Sequence, residues 1–254
     1  MRLLVGNTGL IGKTLKDEIE FDYEFNSKNI QDLVNLDIDP STTDLYLCCL
    51  PATKWLVNKD PQADLDNIFS ILSIITKKEY NNVILYSTID VYGEAPLESD
   101  ESYPLQISTP SYGSNRLLFE QLISNIVRYK KLLILRLPAL FGKHIKKNIL
   151  FDLLNNNDIH KINYNSKYQW YNLKDLVEDT FHYLNLIEKN LLTINLFSEP
   201  IDTSKILELF NVDKSKVDSK SKEIIYNYKT NFNTTRYFKN KSEILQEINE
   251  FIKI

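Results

Sequence analysis

Three glycines, Gly6, Gly9 and Gly12, follow directly on a short apolar N-terminal run, and no other feature of this 254-residue chain limits its fold as tightly. Met1-Arg2-Leu3-Leu4-Val5 reads as a β-strand and Lys13–Ile19 as a helix, which makes Gly6-Asn7-Thr8-Gly9-Leu10-Ile11-Gly12 the turn between them. Strand, glycine turn and helix in that order form the opening unit of an open α/β sheet. Glycines here permit a tight turn, let the backbone approach an anionic ligand, and bring helix and strand close together. The helix start then offers unpaired N–H groups to the anion. Thr8, Leu10 and Ile11 share that turn and are candidate ligand contacts with the three glycines.

The rest of the chain repeats the same grammar. Apolar runs at Leu3–Val5, Leu45–Cys49, Val83–Tyr86 and Leu132–Leu137, with Tyr23–Phe25 and Leu191–Leu196, suit strands covered on both faces. Between them, Asp60-Pro61 starts a helix carrying Leu65, Ile68, Phe69, Leu72 and Ile75, and a second helix is expected over Tyr112–Tyr129. Further helices are expected at Leu173–Leu186, Thr203–Phe210 and Glu243–Ile252, and the polar stretch Asp213–Lys222 reads as a surface loop. The expected fold is therefore α/β, a Rossmann-type doubly wound parallel sheet with a small C-terminal lobe. Residues 1–147 would form the sheet domain and 148–254 the lobe, with about 168–198 returning to the sheet.

Composition narrows the function. With 43% hydrophobic and 25% charged residues the chain is ordinary globular material, and a net charge of −4 leaves no broad basic face for nucleic acid. Cys48 and Cys49 lie together in an apolar run, which points to packing in a reducing compartment. No signal peptide and no run long enough to span a bilayer are legible, so a cytoplasmic protein with no membrane partner is expected. His144, His160 and His182 share no ligand spacing, and no metal is expected.

Two segments carry the chemistry. Ser87-Thr88-Ile89-Asp90-Val91-Tyr92-Gly93 ends the fourth strand, and Tyr112-Gly113-Ser114-Asn115-Arg116 opens a helix some twenty residues later. Hydride transfer to a ketone builds negative charge on oxygen, so a proton donor and a second hydrogen bond must converge there. Tyr112 can be that acid, or the base in the reverse direction, if the cation four residues on, Arg116, lowers its pKa from about 10 towards neutrality. Thr88, at a strand's carboxyl end, can give the second bond. Asp90 is either a base, a contact to a substrate hydroxyl, or simply a polar residue at a strand end.

These segments resemble the S-T/S-x-x-V-Y-G and Y-x-x-x-K motifs of the extended short-chain dehydrogenase/reductases, the NAD-dependent epimerase/dehydratase family. The G-x-x-G-x-x-G turn and Leu135-Arg136-Leu137-Pro138-Ala139-Leu140-Phe141-Gly142 extend the likeness over roughly residues 1–200. The resemblance implies an NAD(P) cofactor, a nucleotide-sugar substrate, surface glycan precursor synthesis and a homodimer through helices 61–77 and 112–129. It also departs: Arg116 stands where the family has lysine, keeping the charge but unable to shed a proton. Ile89-Asp90 stands where the 4,6-dehydratases carry an acidic pair, which argues against dehydration. A different class therefore stays open, a non-catalytic NAD(P)-binding or regulatory protein.

Weaker signals complete the set. Asn26-Ser27-Lys28 falls where NAD-selective sites carry an acid, which leans the reading towards NADP with Ser27 and Lys28 near a 2′-phosphate, although Lys28 also reads as a solvated charge. Lys54 and Pro138 are further cofactor candidates by resemblance. Lys146, Lys147 and Asn148 lie in a basic turn that is either a substrate contact or a solvated loop, and Gln169 and Arg236 complete the substrate candidates.

Overall fold

A computed structural model describes residues 1–217 and 222–253. The strands are β1 (Arg2–Val5), β2 (Tyr23–Phe25), β3 (Asp44–Leu47), β4 (Glu79–Thr88), β5 (Arg128–Leu137), β6 (Ala139–Phe141), β7 (Lys167–Tyr168), β8 (Trp170–Asn172), β9 (Leu191–Asn195) and β10 (Ile201–Asp202). The helices are α1 (Leu10–Lys16), α2 (Lys54–Lys59), α3 (Pro61–Ile75), α4 (Tyr112–Ile126), α5 (Ile149–Leu154), α6 (Leu176–Asn185), α7 (Thr203–Leu209) and α8 (Lys241–Phe251).

Six strands form one sheet in the order β2-β1-β3-β4-β5-β9. β1 pairs in parallel with β2 on one side and β3 on the other, and β3 pairs in parallel with β4. The chain thus leaves β1 in both directions, and a parallel sheet binds ligands at the strand ends beside such a reversal. This is the Rossmann-type α/β fold the sequence implied.

Both faces of the sheet are covered, which is why its strands are continuous apolar runs. Leu3, Val5, Leu45, Leu47, Val83, Leu85, Leu132 and Ile134 share one core with the buried stripe Ile68, Ile71, Leu72 and Ile75 of α3. Those four side chains fall at helical spacing, and each contributes about 1.5–3 kcal/mol by leaving water. Asp60 caps α3 by accepting from the Ala63 N–H at 3.1 Å, with Pro61 in the first helical position.

The chain divides into two compact units. One holds residues 1–95, 104–136 and 175–194, and the other 96–103, 137–174 and 195–254. The expected boundary lies at 147 with about 168–198 returning; by compactness the chain changes unit after 95, 103, 136, 174 and 194. The second unit has its own core, with Phe141, Trp170, Ile201, Ile206, Ile244 and Ile248 buried together. Its β6 and β8 pair in parallel, β7 and β10 antiparallel. The expected loop at 213–222 is described only in part: Lys214–Lys216 make a 3₁₀ turn, and residues 218–221 lie outside the described residues.

Candidate active site

The glycine turn is built as three separate solutions. Gly6, with φ of +105°, lies so close to the end of β3 that an added Cβ would stand 2.4 Å from the Cys48 carbonyl oxygen. Gly12 lies inside α1, where an added Cβ would stand 2.3 Å from the Gly6 carbonyl oxygen. Both are therefore demanded by the protein's own packing. Gly9 is different. A Cβ there would meet nothing nearer than the Gly6 and Cys48 carbonyl oxygens at 3.5 and 4.0 Å, and the backbone is extended, as any residue allows. Thr8 and Gly9 are exposed, Leu10 and Ile11 are half-buried, and no side chain caps the first turn of α1. The protein's own packing therefore does not require glycine at position 9, at the start of the first helix after β1, where an approaching anion would need bare backbone.

At the next strand ends, Thr88, Asp90, Tyr112 and Arg116 come together. Gly113 makes this possible: a Cβ there would stand 2.0 Å from the Asp90 carbonyl oxygen, so only glycine lets the start of α4 approach the turn Ile89–Tyr92. Ser111 caps α4, and the Tyr112 N–H donates to Asn58 Oδ1 of α2 at 2.8 Å. Thr88, Asp90 and Arg116 lie close enough to the Tyr112 phenol to act on its ionisation, and the Arg116 guanidinium carbon stands 4.6 Å from the centre of its ring. Burial pushes its pKa above the ordinary value; Arg116 opposes the rise, the Asp90 carboxylate adds to it, and Thr88 opposes it again. The net direction is up, and the expected fall towards neutrality is corrected. Burial of a phenol outweighs one partly engaged cation.

That cation is engaged by a residue the motif reading missed. Arg116 donates through both terminal nitrogens to Asp64 of α3, at 2.7 and 3.1 Å, and to the Pro51 carbonyl at 2.7 Å. Asp64 was not foreseeable because it lies 52 positions away and meets Arg116 only in the fold. Lys54, at the start of α2, pairs with Asp90 at 2.5 Å, so two candidates assigned separate roles are partners.

A buried pair fixes the strand end from behind. Glu120, four residues beyond Arg116, takes hydrogen bonds from Arg136 of β5 at 2.7–3.2 Å and from the Ser87 hydroxyl at 2.5 Å. Arg136 also donates to the Tyr92 hydroxyl at 3.2 Å. Helical spacing from Tyr112 through Arg116 to Glu120 was the signal that could have found it.

Residues 26–28 after β2 carry no acid, yet Glu24 within the strand places a carboxylate beside the turn. Its carboxylate accepts from Asn7 at 2.9 Å and from Lys16 at 2.5 Å. Burial raises its pKa, but the bonds from Lys16 and Asn7 and the Lys16 charge outweigh that and hold it below the usual value. Asn26 turns its side chain inward to Asn7 and to the Lys28 N–H, and Ser27 and Lys28 are exposed.

Several substrate candidates in the second unit have partners within the fold. Gln169 is fully buried, and its carboxamide is occupied by the Ser198 and Tyr228 backbones. Asn148 caps α5 by accepting from the Phe151 N–H at 3.1 Å, and it donates to the Leu140 carbonyl at 2.6 Å. Arg236 is ion-paired with Asp100. Lys146 and Lys147 are exposed, and Pro138 is buried between β5 and β6.

Neither a family model nor a curated protein sequence matches this chain. Its fold is shared by solved structures that include UDP-glucose 4-epimerases, an NAD-dependent NDP-hexosamine 5,6-dehydratase and dTDP-4-dehydrorhamnose reductases. The particular structures it resembles include MoeE5 in complex with UDP-glucuronic acid and NAD, with a TM-score of 0.72 at 14% identity over 99% of this chain and 97% of that one. The NAD-dependent NDP-hexosamine 5,6-dehydratase TunA gives 0.71 at 16% identity over 100% and 97%. UDP-glucose 4-epimerase of Thermotoga maritima, with UDP-glucose, gives 0.67 at 13% identity over 100% and 98%. At such identities the likeness is one of fold.

Proposed function

We propose that this protein is an NAD(P)-dependent oxidoreductase or epimerase acting on a nucleotide-activated sugar. The observation that carries the reading is the convergence of Tyr112 and Thr88 at a strand end of the same sheet that carries the glycine turn at Gly9. The turn fits a dinucleotide: the residue that the protein's own packing leaves unexplained, Gly9, is the one where the backbone must approach a diphosphate. Bound there, the nicotinamide cofactor supplies or accepts a hydride. Glycines 6, 9 and 12 with Thr8, Leu10 and Ile11 would hold its diphosphate, and Lys54, Arg116 and Pro138 are the further cofactor candidates.

The chain's own groups account for the proton. Tyr112, held protonated by burial, donates to the oxygen of a sugar carbonyl, and Thr88 gives that oxygen a second hydrogen bond as its charge grows. Asp90 orients a sugar hydroxyl, and Lys54 holds Asp90. A phenol kept protonated is the form that donates to a carbonyl oxygen, as reduction requires. The lean towards NADP has no support from the similar structures, several of which carry NAD, and the Glu24 carboxylate beside the turn opposes a 2′-phosphate. We assign the protein to the cytoplasm, to surface glycan precursor synthesis and to a homodimer through α3 and α4, where Phe69 and Ile126 are exposed. No helix among the described residues is long and apolar enough to cross a membrane.

A second reading is favoured by one observation: Arg116, where lysine is expected, is neutralised by Asp64. On that reading the chain binds NAD(P) without turnover. Assays following reduced cofactor at 340 nm with UDP- and dTDP-linked 4-keto-sugars separate the two. The enzyme reading expects turnover that falls by about 10²–10⁴-fold in Tyr112→Phe. Cofactor binding with no turnover of any keto-sugar, by wild type or Arg116→Lys, refutes it.

A further inference from the structure

Arg116 meets its countercharge in a dry place. Its guanidinium and the Asp64 carboxylate form two parallel hydrogen bonds, and their side chains keep only 6% and 3% of their surface exposed. Asn115 donates to the same carboxylate at 2.9 Å, and the Pro51 carbonyl takes a further bond from Arg116. The guanidinium carbon lies 4.6 Å from the centre of the Tyr112 ring. Charges buried together in this way largely cancel at a third group, so the positive charge felt by the phenol depends on the carboxylate behind the arginine.

We propose that Asp64 is a positioning residue: by holding both arms of the Arg116 guanidinium, its carboxylate withholds that charge from the Tyr112 phenol and sets the site as a proton donor. The proposal rests on the reading of Tyr112 as the acid-base group. An arginine without a countercharge would pull the phenol down and favour phenolate, the form suited to abstraction. With Asp64 in place, burial prevails. The charged and titratable groups around Tyr112 are Arg116 on its own helix, Asp90 after β4 with its partner Lys54 on α2, and Asp64 on α3 acting through Arg116. Cys49, after β3, also feels Arg116, but burial pushes its thiol up to about 12 and leaves it neutral. The pair explains how an arginine is accommodated here. Its fork matches a carboxylate in a way an ammonium does not.

The test is the ionisation of Tyr112 itself, followed by NMR in protein labelled at tyrosine Cζ, with Tyr112→Phe used to assign the signal. Asp64→Asn is expected to lower the Tyr112 midpoint by about one unit or more, the scale of a charge uncovered within about 4–6 Å. Arg116→Lys alone keeps the acid and should leave the midpoint above the ordinary tyrosine value. Adding Asp64→Asn to Arg116→Lys should bring it down as well, because the ammonium charge is then uncovered. A midpoint that stays or rises on Asp64→Asn in the backgrounds that fold overturns the proposal. So does failure of both Asp64→Asn proteins to fold, which would make Asp64 a scaffold group only. Calorimetric titration of the wild type with NAD and NADP is scored separately, because binding of neither removes the functional reading and says nothing about Asp64.

Discussion

Tyr112 is buried, and the direction in which burial moves a phenol fixes the direction of its pH dependence. Carbonyl reduction needs the protonated form, which persists below the phenol's pKa. Because that pKa lies above the ordinary value, the reductive rate should hold through neutral and mildly alkaline pH and fall only above the usual tyrosine range. A kcat profile against pH measures this, and a fall near neutrality would contradict it. The same residue shows how far motifs reach. Tyr112, Arg116, Thr88 and Asp90 were legible because local spacing defines them. Asp64 and Asn58 were not, since each acquires its role only when α2 and α3 pack against α4. Gln169, Asn148 and Arg236 show the complementary limit. A polar residue read from sequence carries no sign of whether its hydrogen bonds are already used.

At the scale of elements, the site is an approach of two backbones. The start of α4 rests on the turn Ile89–Tyr92 through Gly113, against the Asp90 carbonyl. Gly113→Ala must push these apart, so it should cost about 1–3 kcal/mol as an overpacked contact and abolish turnover. NAD affinity should survive, because the glycine turn is untouched. Thermal melts with calorimetry check this, and a variant as active as wild type would show that Tyr112 does not depend on the approach. Element types were mostly readable, while their ends moved. α1 begins at Leu10 and not Lys13, because Gly12 is needed inside the helix for its contact with the Gly6 carbonyl. α4 stops at Ile126, short of Tyr129, because Arg128–Lys131 alternate in exposure as the start of β5. Alternation over so few residues is easily read as a continuing helix face.

Over the whole molecule, the second unit is held by carboxylates engaged at its surface and edges. In Asp100, burial raises the pKa but is outweighed by bonds from Ser102 and Asn231 and by the Arg236 charge. The Lys241 bond lowers Asp202, with burial opposing and Lys167 assisting. Glu247 is raised by burial and more strongly lowered by Lys239 and Lys174. Groups depressed in the folded state contribute stability above their unfolded pKa values of about 4, and it is lost as pH falls through the lower folded values. Urea melts at pH 7 and pH 3 should therefore show a large acid loss, reduced in Asp202→Asn. Equal stability at both pH values would contradict the assignment. A doubly wound parallel sheet was implied by alternating strands and helices, but its strand order and the unit boundaries were not, because segments 96–103 and 175–194 cross between units without any change in composition.

The claim on which the functional account stands is that the glycine turn at Gly9 holds a dinucleotide, and Gly9→Ala tests it most directly. The added methyl meets no protein atom closer than 3.5 Å, so the melting temperature should stay within about 2–4 °C, the shift that 1 kcal/mol produces in a chain of this size. Calorimetric titration should show saturable NAD binding by the wild type and binding weakened by about tenfold or more in the variant, the 1.4 kcal/mol that one obstructed diphosphate contact amounts to. No binding by the wild type, or equal affinity in both proteins, would contradict the account.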